Sequence, residues 1–266
     1  MKLACFDIDG TLLPSYDQPI PQDVISAIQE FADKGNAIAV ASGRPFGSCK
    51  ALLDLFKAKD RYAVCSGGST LFDDTGKLLW KQTMDKEDFL RIRREFENQK
   101  DVAVYCYLGD DSIASYSPEP WADFEYKINH FSHHWDLSKD DSPLDRFGVT
   151  KMMIAAMPEV SSKIVLDHKD FEDFTIVRSN EHFLEVMPKG VSKASAIEPI
   201  RRLLGILKED VYTFGDSGND LQMIADYQGV AMGNATPDVK KAAKFITKDC
   251  QDSGVAYALR EILHLI

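Results

Sequence analysis

The sequence has no apolar run long enough to span a bilayer, no CxxC pair, no internal repeat and no low-complexity segment. The first absence predicts a chain that does not cross a membrane as a helix. Positive charge is also in short supply: 31 Lys and Arg face 42 Asp and Glu, a formal net charge of -11. Nucleic acid or an anionic membrane surface would need a basic face, so neither is an expected partner. Cysteine is sparse and odd in number, at five: Cys5, Cys49, Cys65, Cys106 and Cys250. That excludes a disulfide framework and suits a reducing compartment. Cys5 and Cys65 lie in apolar, strand-like runs, where a free thiol behaves as a small hydrophobe. The start, Met1 to Cys5, faintly resembles a lipoprotein cleavage box, but no apolar signal segment precedes Cys5. The expected location is the cytoplasm.

What is present is an ordinary globular composition, 44% apolar and 27% charged over 266 residues. This is enough for one large or two modest domains with a sizeable core. Leu3 to Phe6 is a short apolar run ending at Asp7 and reads as a buried strand. Val24, Ile25, Ile28, Phe31 and Ala32 follow at helical spacing, stopped by Gly35. Ala37 to Ala41 is a second buried strand ending at Ser42-Gly43-Arg44. A helix over 46–56 and a strand over 62–65 come next. This β-α-β-α-β alternation predicts an α/β fold, a doubly wound parallel sheet with right-handed crossovers.

The rhythm then changes. Two strand pairs, around Asp73 to Gly76 and around Gly109 to Asp111, read as hairpins. Between them lies a charged amphipathic helix over 85–99. A polar, aromatic stretch, three further strands and a helix over 160–166 follow. From Ser192 the βα rhythm resumes and runs to the end. The predicted organisation is an α/β core over 1–82 and 186–266, interrupted by an α+β insert over 83–185.

Two acidic turns carry the chemistry. Asp7-Ile8-Asp9-Gly10-Thr11-Leu12 follows a buried strand directly, and two acids at i and i+2 just past a strand end are brought to one side. Gathering carboxylates is costly unless a cation neutralises them. With Mg²⁺ there, Asp7 is a metal ligand and a nucleophile while Asp9 holds a proton. Gly215-Asp216-Ser217-Gly218-Asn219-Asp220 repeats the arrangement after another strand, with Asp216 as a further Mg²⁺ ligand and Asp220 or Asn219 in support. Taken singly, each hexapeptide also fits a solvated or helix-capping turn. Ser42-Gly43-Arg44 combines a hydroxyl with backbone N–H groups at a helix start, as a phosphate cradle requires, and also fits a simple N-cap. Lys193 opens a helix, where the dipole disfavours a cation, a misplacement that suggests an anionic partner.

These four pieces, in this order, resemble the haloacid dehalogenase-like phosphatases: DxDGT at Asp7 to Thr11, then Ser42, Lys193, and GDxxxD through Asp216 and Asp220. Met232-Gly233-Asn234-Ala235 and Asp252-Ser253-Gly254-Val255-Ala256 are similar to the Cof-type branch, subfamily IIB. The resemblance spans nearly the whole chain. It implies a Rossmann-like core with an α+β cap in the interval between Ser42 and Lys193. It implies hydrolysis of a small phosphate monoester through an aspartyl-phosphate on Asp7. Thr11, Ser42, Gly43, Lys193 and Asn219 would hold the phosphoryl group, and Asp7, the Asp9 carbonyl and Asp216 would hold Mg²⁺. Arg44 and Glu185 are the candidate contacts to the leaving group. Sugar phosphates are the implied substrates, with flavin precursors and pyridoxal phosphate as alternatives. A phosphosugar mutase and a non-catalytic sugar-phosphate sensor are the rival functions, and a monomer or weak homodimer is the expected state. One departure stands out: the branch usually carries Asn-Gly-Ala after the third strand, and here the run is Ser66-Gly67-Gly68.

His130, His133 and His134 form an HxxHH cluster, but Phe131, Trp135 and the acids nearby give no cysteine or supporting-ligand signature, so a surface or cap-face helix is expected rather than a metal site. The aromatic group Trp121, Phe124, Tyr126, Phe131 and Trp135 is expected to fill the core of the insert.

Overall fold

The computed structural model describes residues 1–15, 18–116, 119–164, 171–179 and 181–266. The chain forms two compact units. Met1–Gly43, Cys49–Trp80 and Ser192–Ile266 make the first, and Arg44–Ser48 with Lys81–Val191 make the second.

In chain order the first part contains β1 (Leu3–Phe6), α1 (Gln22–Asp33), β2 (Ala37–Ala41), α2 (Phe46–Leu53), β3 (Arg61–Cys65), β4 (Thr70–Asp73) and β5 (Leu78–Lys81). The second unit then runs through α3 (Lys86–Arg94), β6 (Val102–Leu108), β7 (Ile113–Ser115), α4 (Pro120–Ile128), β8 (His134–Asp136) and α5 (Ser142–Phe147). It continues with β9 (Val149–Ala156), α6 (Pro158–Ser161), β10 (Phe174–Arg178) and β11 (Phe183–Pro188). The chain returns through α7 (Lys193–Leu204), β12 (Val211–Gly215), α8 (Leu221–Asp226), β13 (Gln228–Ala231), α9 (Pro237–Ala242), β14 (Phe245–Ile246) and α10 (Gly254–Tyr257).

The sheet of the first unit has the order β14-β13-β12-β1-β2-β3-β4-β5. Strands β1 and β2, β2 and β3, β1 and β12, β12 and β13, and β13 and β14 pair in parallel, while β3 and β4 pair antiparallel. Both β1 and β2 are buried along their whole length, as expected of strands covered on both faces. Helix α1 buries Val24, Ala27, Ile28, Phe31 and Ala32, a stripe at three- and four-residue spacing that faces the core. The expected doubly wound α/β fold is therefore present, and β1 sits between β2 and β12, where chain segments far apart in sequence meet.

The second unit has a sheet of order β10-β11-β9-β6-β7-β8. One apolar cluster gathers Phe89, Ile92, Cys106, Met152, Ile154 and Val186, and another gathers Tyr105, Tyr107, Phe131 and Met153. These sets alternate along β6 and β9, so the sheet is buried on both faces. The unit differs in its bounds from the expected insert over 83–185. Strand β11 continues to Pro188, and the Gly190 N–H donates to the Thr175 hydroxyl at 3.0 Å, so the chain is held in this unit beyond the anticipated boundary. Residues 44–48 also belong to it.

Several element expectations change in detail. Helix α3 ends at Arg94, since the following residues form tight turns rather than α-helix. The helix expected over 160–166 lies earlier, at Pro158–Ser161, and Val165 and Leu166 fall outside the described residues. The aromatic group is divided. Phe131 is buried, but Phe124 is 57% exposed and Tyr126 lies at the surface, because α4 turns only one side to the sheet.

Candidate active site

Three neighbouring strands end in candidate site residues. Asp7 follows β1, Ser42 follows β2 and Asp216 follows β12. The Asp7 N–H donates to the Phe214 carbonyl at 3.0 Å, which keeps the ladder intact up to the carboxylate. Beyond it the chain turns sharply, with Leu12 and Leu13 N–H groups returning to the Ile8 carbonyl. Gly10 takes φ +81°, and a Cβ there would lie 2.5 Å from Asp216 Oδ2. Only glycine lets the two acidic turns approach so closely.

The centre is a buried ammonium between carboxylates. Lys193 Nζ donates to Asp7 Oδ1 at 2.5 Å and to Asp220 Oδ1 at 2.6 Å, with Asn219 Oδ1 at 3.4 Å. Lys193 is 1% exposed, so its unfavourable place at the start of α7 is offset by these partners. The sequence suggested an anion for this lysine, and the structure supplies carboxylates. Asp220 is fully enclosed, and its second oxygen accepts from the N–H groups of Asp216 and Ser217 at 3.0 and 3.1 Å. It therefore holds both the lysine and the turn that presents Asp216. Thr11 sends its hydroxyl to Asp216 Oδ1 at 3.3 Å, orienting that carboxylate.

Asp7, Asp216 and Asp220 each offer an oxygen within 4.8 Å of the others, the one such acidic group among the described residues. Three carboxylates face a single ammonium, so the site carries excess negative charge. Burial and the Asp220 carboxylate raise Asp7 well above the ordinary carboxylate range against the pull of Lys193. Burial and Asp220 likewise push Asp216 up to about 6. Burial lowers Lys193, but Asp220 and Asp7 outweigh it and hold the ammonium charged. A hard, all-oxygen set with surplus negative charge is what a divalent cation such as Mg²⁺ fits.

Of the remaining candidates, Asp9 is exposed in the turn after Asp7, and Ser42 is buried at the end of β2. Gly43 ends the first stretch of the first unit, and Arg44 begins a short piece of the second. Glu185 lies inside β11 rather than at its end, and Lys151 Nζ approaches it at 3.3 Å. Lys151 Nζ also lies over the Tyr107 ring, and buried Glu125 accepts from the hydroxyls of Tyr105 and Tyr107. This polar cluster on one sheet face was not legible as such, since its members are spread over 105–185.

Sequence reading also missed two supports of the site. Asn234 donates to the Gly10 carbonyl at 2.8 Å and accepts from the Cys250 N–H at 3.0 Å, pinning the Asp9–Gly10 turn from the end of β13. Gly68, at φ +103°, leaves no room for a Cβ beside the Ser192 carbonyl, so this loop packs directly under the start of α7. An Asn just past a strand and a Gly-Gly pair were the available signals. Among the histidines, His134 bridges the Ser115 hydroxyl at 2.8 Å and Asp123 at 3.2 Å. The order hydroxyl–imidazole–carboxylate is that of a nucleophilic triad, but Ser115 is fully buried within β7 and out of a substrate's reach.

The family model of the haloacid dehalogenase-like hydrolases matches residues 4–259. A protein of Streptococcus pyogenes serotype M6 is 31% identical over 275 residues, covering 98% of each chain. The 5-amino-6-(5-phospho-D-ribitylamino)uracil phosphatase YcsE of Bacillus subtilis is 27% identical over 261 residues, covering 98% of this chain and 95% of its own. The solved structure of a subclass IIB sugar phosphatase aligns over 100% of both chains with a TM-score of 0.81 and 26% identity. With the acidic turns, the buried lysine and the inserted α+β unit in place, the chain belongs to the haloacid dehalogenase-like hydrolases, in their Cof-type branch, and is a phosphoric monoester hydrolase.

Proposed function

We propose that the protein hydrolyses small phosphate monoesters, sugar phosphates first among them, through a phosphoryl group carried on Asp7 with Mg²⁺ bound. The observation that carries this reading is the clasp of Lys193 between Asp7 and Asp220 beside Asp216. A lysine in direct contact with a buried carboxylate orients it and pulls it toward the ionised form that an attacking group requires, against the burial and the Asp220 carboxylate that raise it.

Asp7 attacks phosphorus and the bond to the leaving oxygen breaks. Asp9 gives that oxygen its proton, then takes a proton from the water that cleaves the aspartyl-phosphate, so phosphate leaves and both residues are restored. Thr11, Ser42, Gly43, Lys193 and Asn219 hold the phosphoryl oxygens. Asp7, Asp216 and the Asp9 carbonyl would hold Mg²⁺, with Asp220 supporting them. The cation supplies the positive charge that lets an anionic ester approach three carboxylates. Arg44 and Glu185 are assigned to the leaving group on their chemistry and the family resemblance. The enzyme is read as cytoplasmic, a monomer or weak homodimer.

Phosphate release from a panel of metabolite monoesters, with Mg²⁺ and with EDTA, tests the reading. Hydrolysis of one sugar phosphate well above the others, dependent on Mg²⁺ and lost in Asp7→Asn, is the expected result. Phosphate transfer between sugar positions with little free phosphate would favour a mutase. Binding without turnover would favour a sensor.

A further inference from the structure

Gly10 is where the first acidic turn has most freedom, because the approach of Asp216 leaves no room for a side chain there and the chain takes φ +81°. Asp9, just before it, is the residue whose carboxyl must meet the leaving oxygen. Two hydrogen bonds, one on each side of the Gly10 Cα, remove that freedom. The Gly10 N–H donates to the Leu13 carbonyl at 2.9 Å, and the Gly10 carbonyl accepts from the Asn234 amide at 2.8 Å. The first bond lies within the turn itself. The second comes from 224 positions away.

Asn234 is itself held. Its Oδ1 accepts from the Cys250 N–H at 3.0 Å, so one amide both donates and accepts and its orientation is fixed. The turn that carries it follows β13 and is tied from behind. The Gly233 N–H donates to the Lys248 carbonyl at 2.9 Å, and Lys240 Nζ donates to the Gly233 carbonyl at 2.5 Å. A Cβ on Gly233 would lie 2.4 Å from the Asp249 nitrogen, so this turn rests directly on the segment 248–250. Toward the site, the Met232 N–H donates to the Gly215 carbonyl at 3.0 Å and the Thr236 N–H to the Asp216 carbonyl at 2.9 Å. One turn therefore grips the second acidic turn through its backbone and the first through the Asn234 side chain. All these residues lie in the first unit.

We propose that Asn234 is a positioning residue for Asp9, setting the Asp9–Gly10 turn against the Asp216 turn. The inference rests on the proton-transfer role given to Asp9 above. The peptide between Asp9 and Gly10 has its N–H committed to Leu13, and the bond from Asn234 fixes the next peptide plane, so both soft torsions of Gly10 are restrained. Asn234 is exposed, so water can serve the Gly10 carbonyl once the side chain is removed. Its loss therefore costs geometry more than stability. Asp9 then samples positions away from the leaving oxygen, and both of its proton transfers slow. In-line attack by Asp7 is spared, because Asp7 is held by the Phe214 carbonyl and by Lys193.

The test compares wild type, Asn234→Ala, Asn234→Asp, Asp9→Asn and the double variant Asp9→Asn with Asn234→Ala, on p-nitrophenyl phosphate with Mg²⁺. Rapid mixing reads the first release of p-nitrophenolate, which needs no proton from Asp9. Steady turnover reads cleavage of the aspartyl-phosphate, which needs Asp9 as base, and intact-mass analysis reads the phosphoprotein. In Asn234→Ala, steady turnover should fall about tenfold, first release should change less than about threefold, and phosphoprotein should accumulate. Asn234→Asp keeps the acceptor for Cys250 but loses the donor to Gly10, and should behave like Ala. In the Asp9→Asn background, Asn234→Ala should cost less than about twofold, because the group it positions is gone. Wild-type turnover in Asn234→Ala would overturn the proposal. So would an equal fall in first release and turnover, the sign of fewer folded molecules, or a full tenfold cost in the Asp9→Asn background. If Asn234→Ala does not fold, Asn234→Asp carries the test with the same expectations. Wild-type turnover in Asp9→Asn would remove the role of Asp9 and the positioning with it, whereas turnover lost in Asp9→Asn and kept in Asn234→Ala overturns the positioning alone.

Discussion

Lys193 Nζ stands 2.5 Å from Asp7 Oδ1 across 186 positions of sequence, and the pair is almost wholly buried. Removing either charge strands the other. Lys193→Met leaves Asp7, Asp216 and Asp220 without their ammonium and should destabilise the fold by about 3–5 kcal/mol. Lys193→Arg should not restore activity, because a planar guanidinium cannot replace a compact ammonium between two carboxylates. Urea unfolding and phosphate release check both. A Met variant as stable as wild type would mean the carboxylates are neutral in the folded state.

Mg²⁺ should stabilise the protein as well as activate it. At about a hundred times its dissociation constant a bound ion adds about 2.7 kcal/mol. Thermal unfolding should therefore move up with Mg²⁺ and return with EDTA, and Asp216→Asn should lose most of that response. Identical unfolding curves with and without Mg²⁺ in wild type would refute a site at Asp7 and Asp216.

Asp7 and Asp9 should fail differently. Asp7→Asn removes the attacking oxygen and should be inactive toward every ester. Asp9→Asn should lose about 10²–10⁴-fold on sugar esters, whose leaving oxygen needs a proton. It should still release p-nitrophenolate once and then accumulate phosphorylated protein. Intact-mass analysis of a quenched reaction reads the added phosphoryl group. Equal loss on both ester types with no phosphoprotein would rule out this division.

The loop Ser66-Gly67-Gly68 has φ values of +51°, +70° and +103°. Ser66→Asn should stabilise the protein by up to about 1 kcal/mol, since Asn enters the left-handed region more readily than Ser. Gly68→Ala should destabilise it, because its Cβ would collide with the Ser192 carbonyl. Guanidinium unfolding of the two variants separates the effects. A harmless Gly68→Ala would show that the start of α7 can move away.

Asp111 sets a pH dependence whose sign can be worked out. Its folded pKa, about 6, lies above the ordinary 3.8, so its favourable contribution is complete below the lower value and lost as pH rises through the higher. Burial is the main cause, and Asp110 beside it adds to the rise. Between about pH 4 and pH 7, wild type should lose about 2 kcal/mol relative to Asp111→Asn, which does not titrate there. Urea unfolding across this range measures the gap, and parallel profiles would contradict it.

The core strands were legible because β1 and β2 are short apolar runs that end at acids or at Ser-Gly, as buried parallel strands do. The insert was harder. Its boundary passed from the expected 83–185 to Lys81–Val191 because Gly190 is held by Thr175, a contact no local pattern announces. Glu185 was named as a candidate contact to the leaving group, but its setting inside β11 depends on Lys151, brought alongside by strand pairing.

The chemistry-bearing residues at strand ends, their order, and the two-part organisation were written in the sequence, because strand runs, turn glycines and paired acids are local signals. Which carboxylate meets which cation was decided only by the tertiary structure. The turns of Asp7 and Asp220 meet because β1 lies beside β12 in the sheet, and Lys193 reaches both from the start of α7, which rests against Gly68. Asp111 reaches the amides of α2 in the same way, through a turn 65 positions away. Such pairings arise from the free energy of burying charge with its partner, a term that exists only once the chain has closed around it.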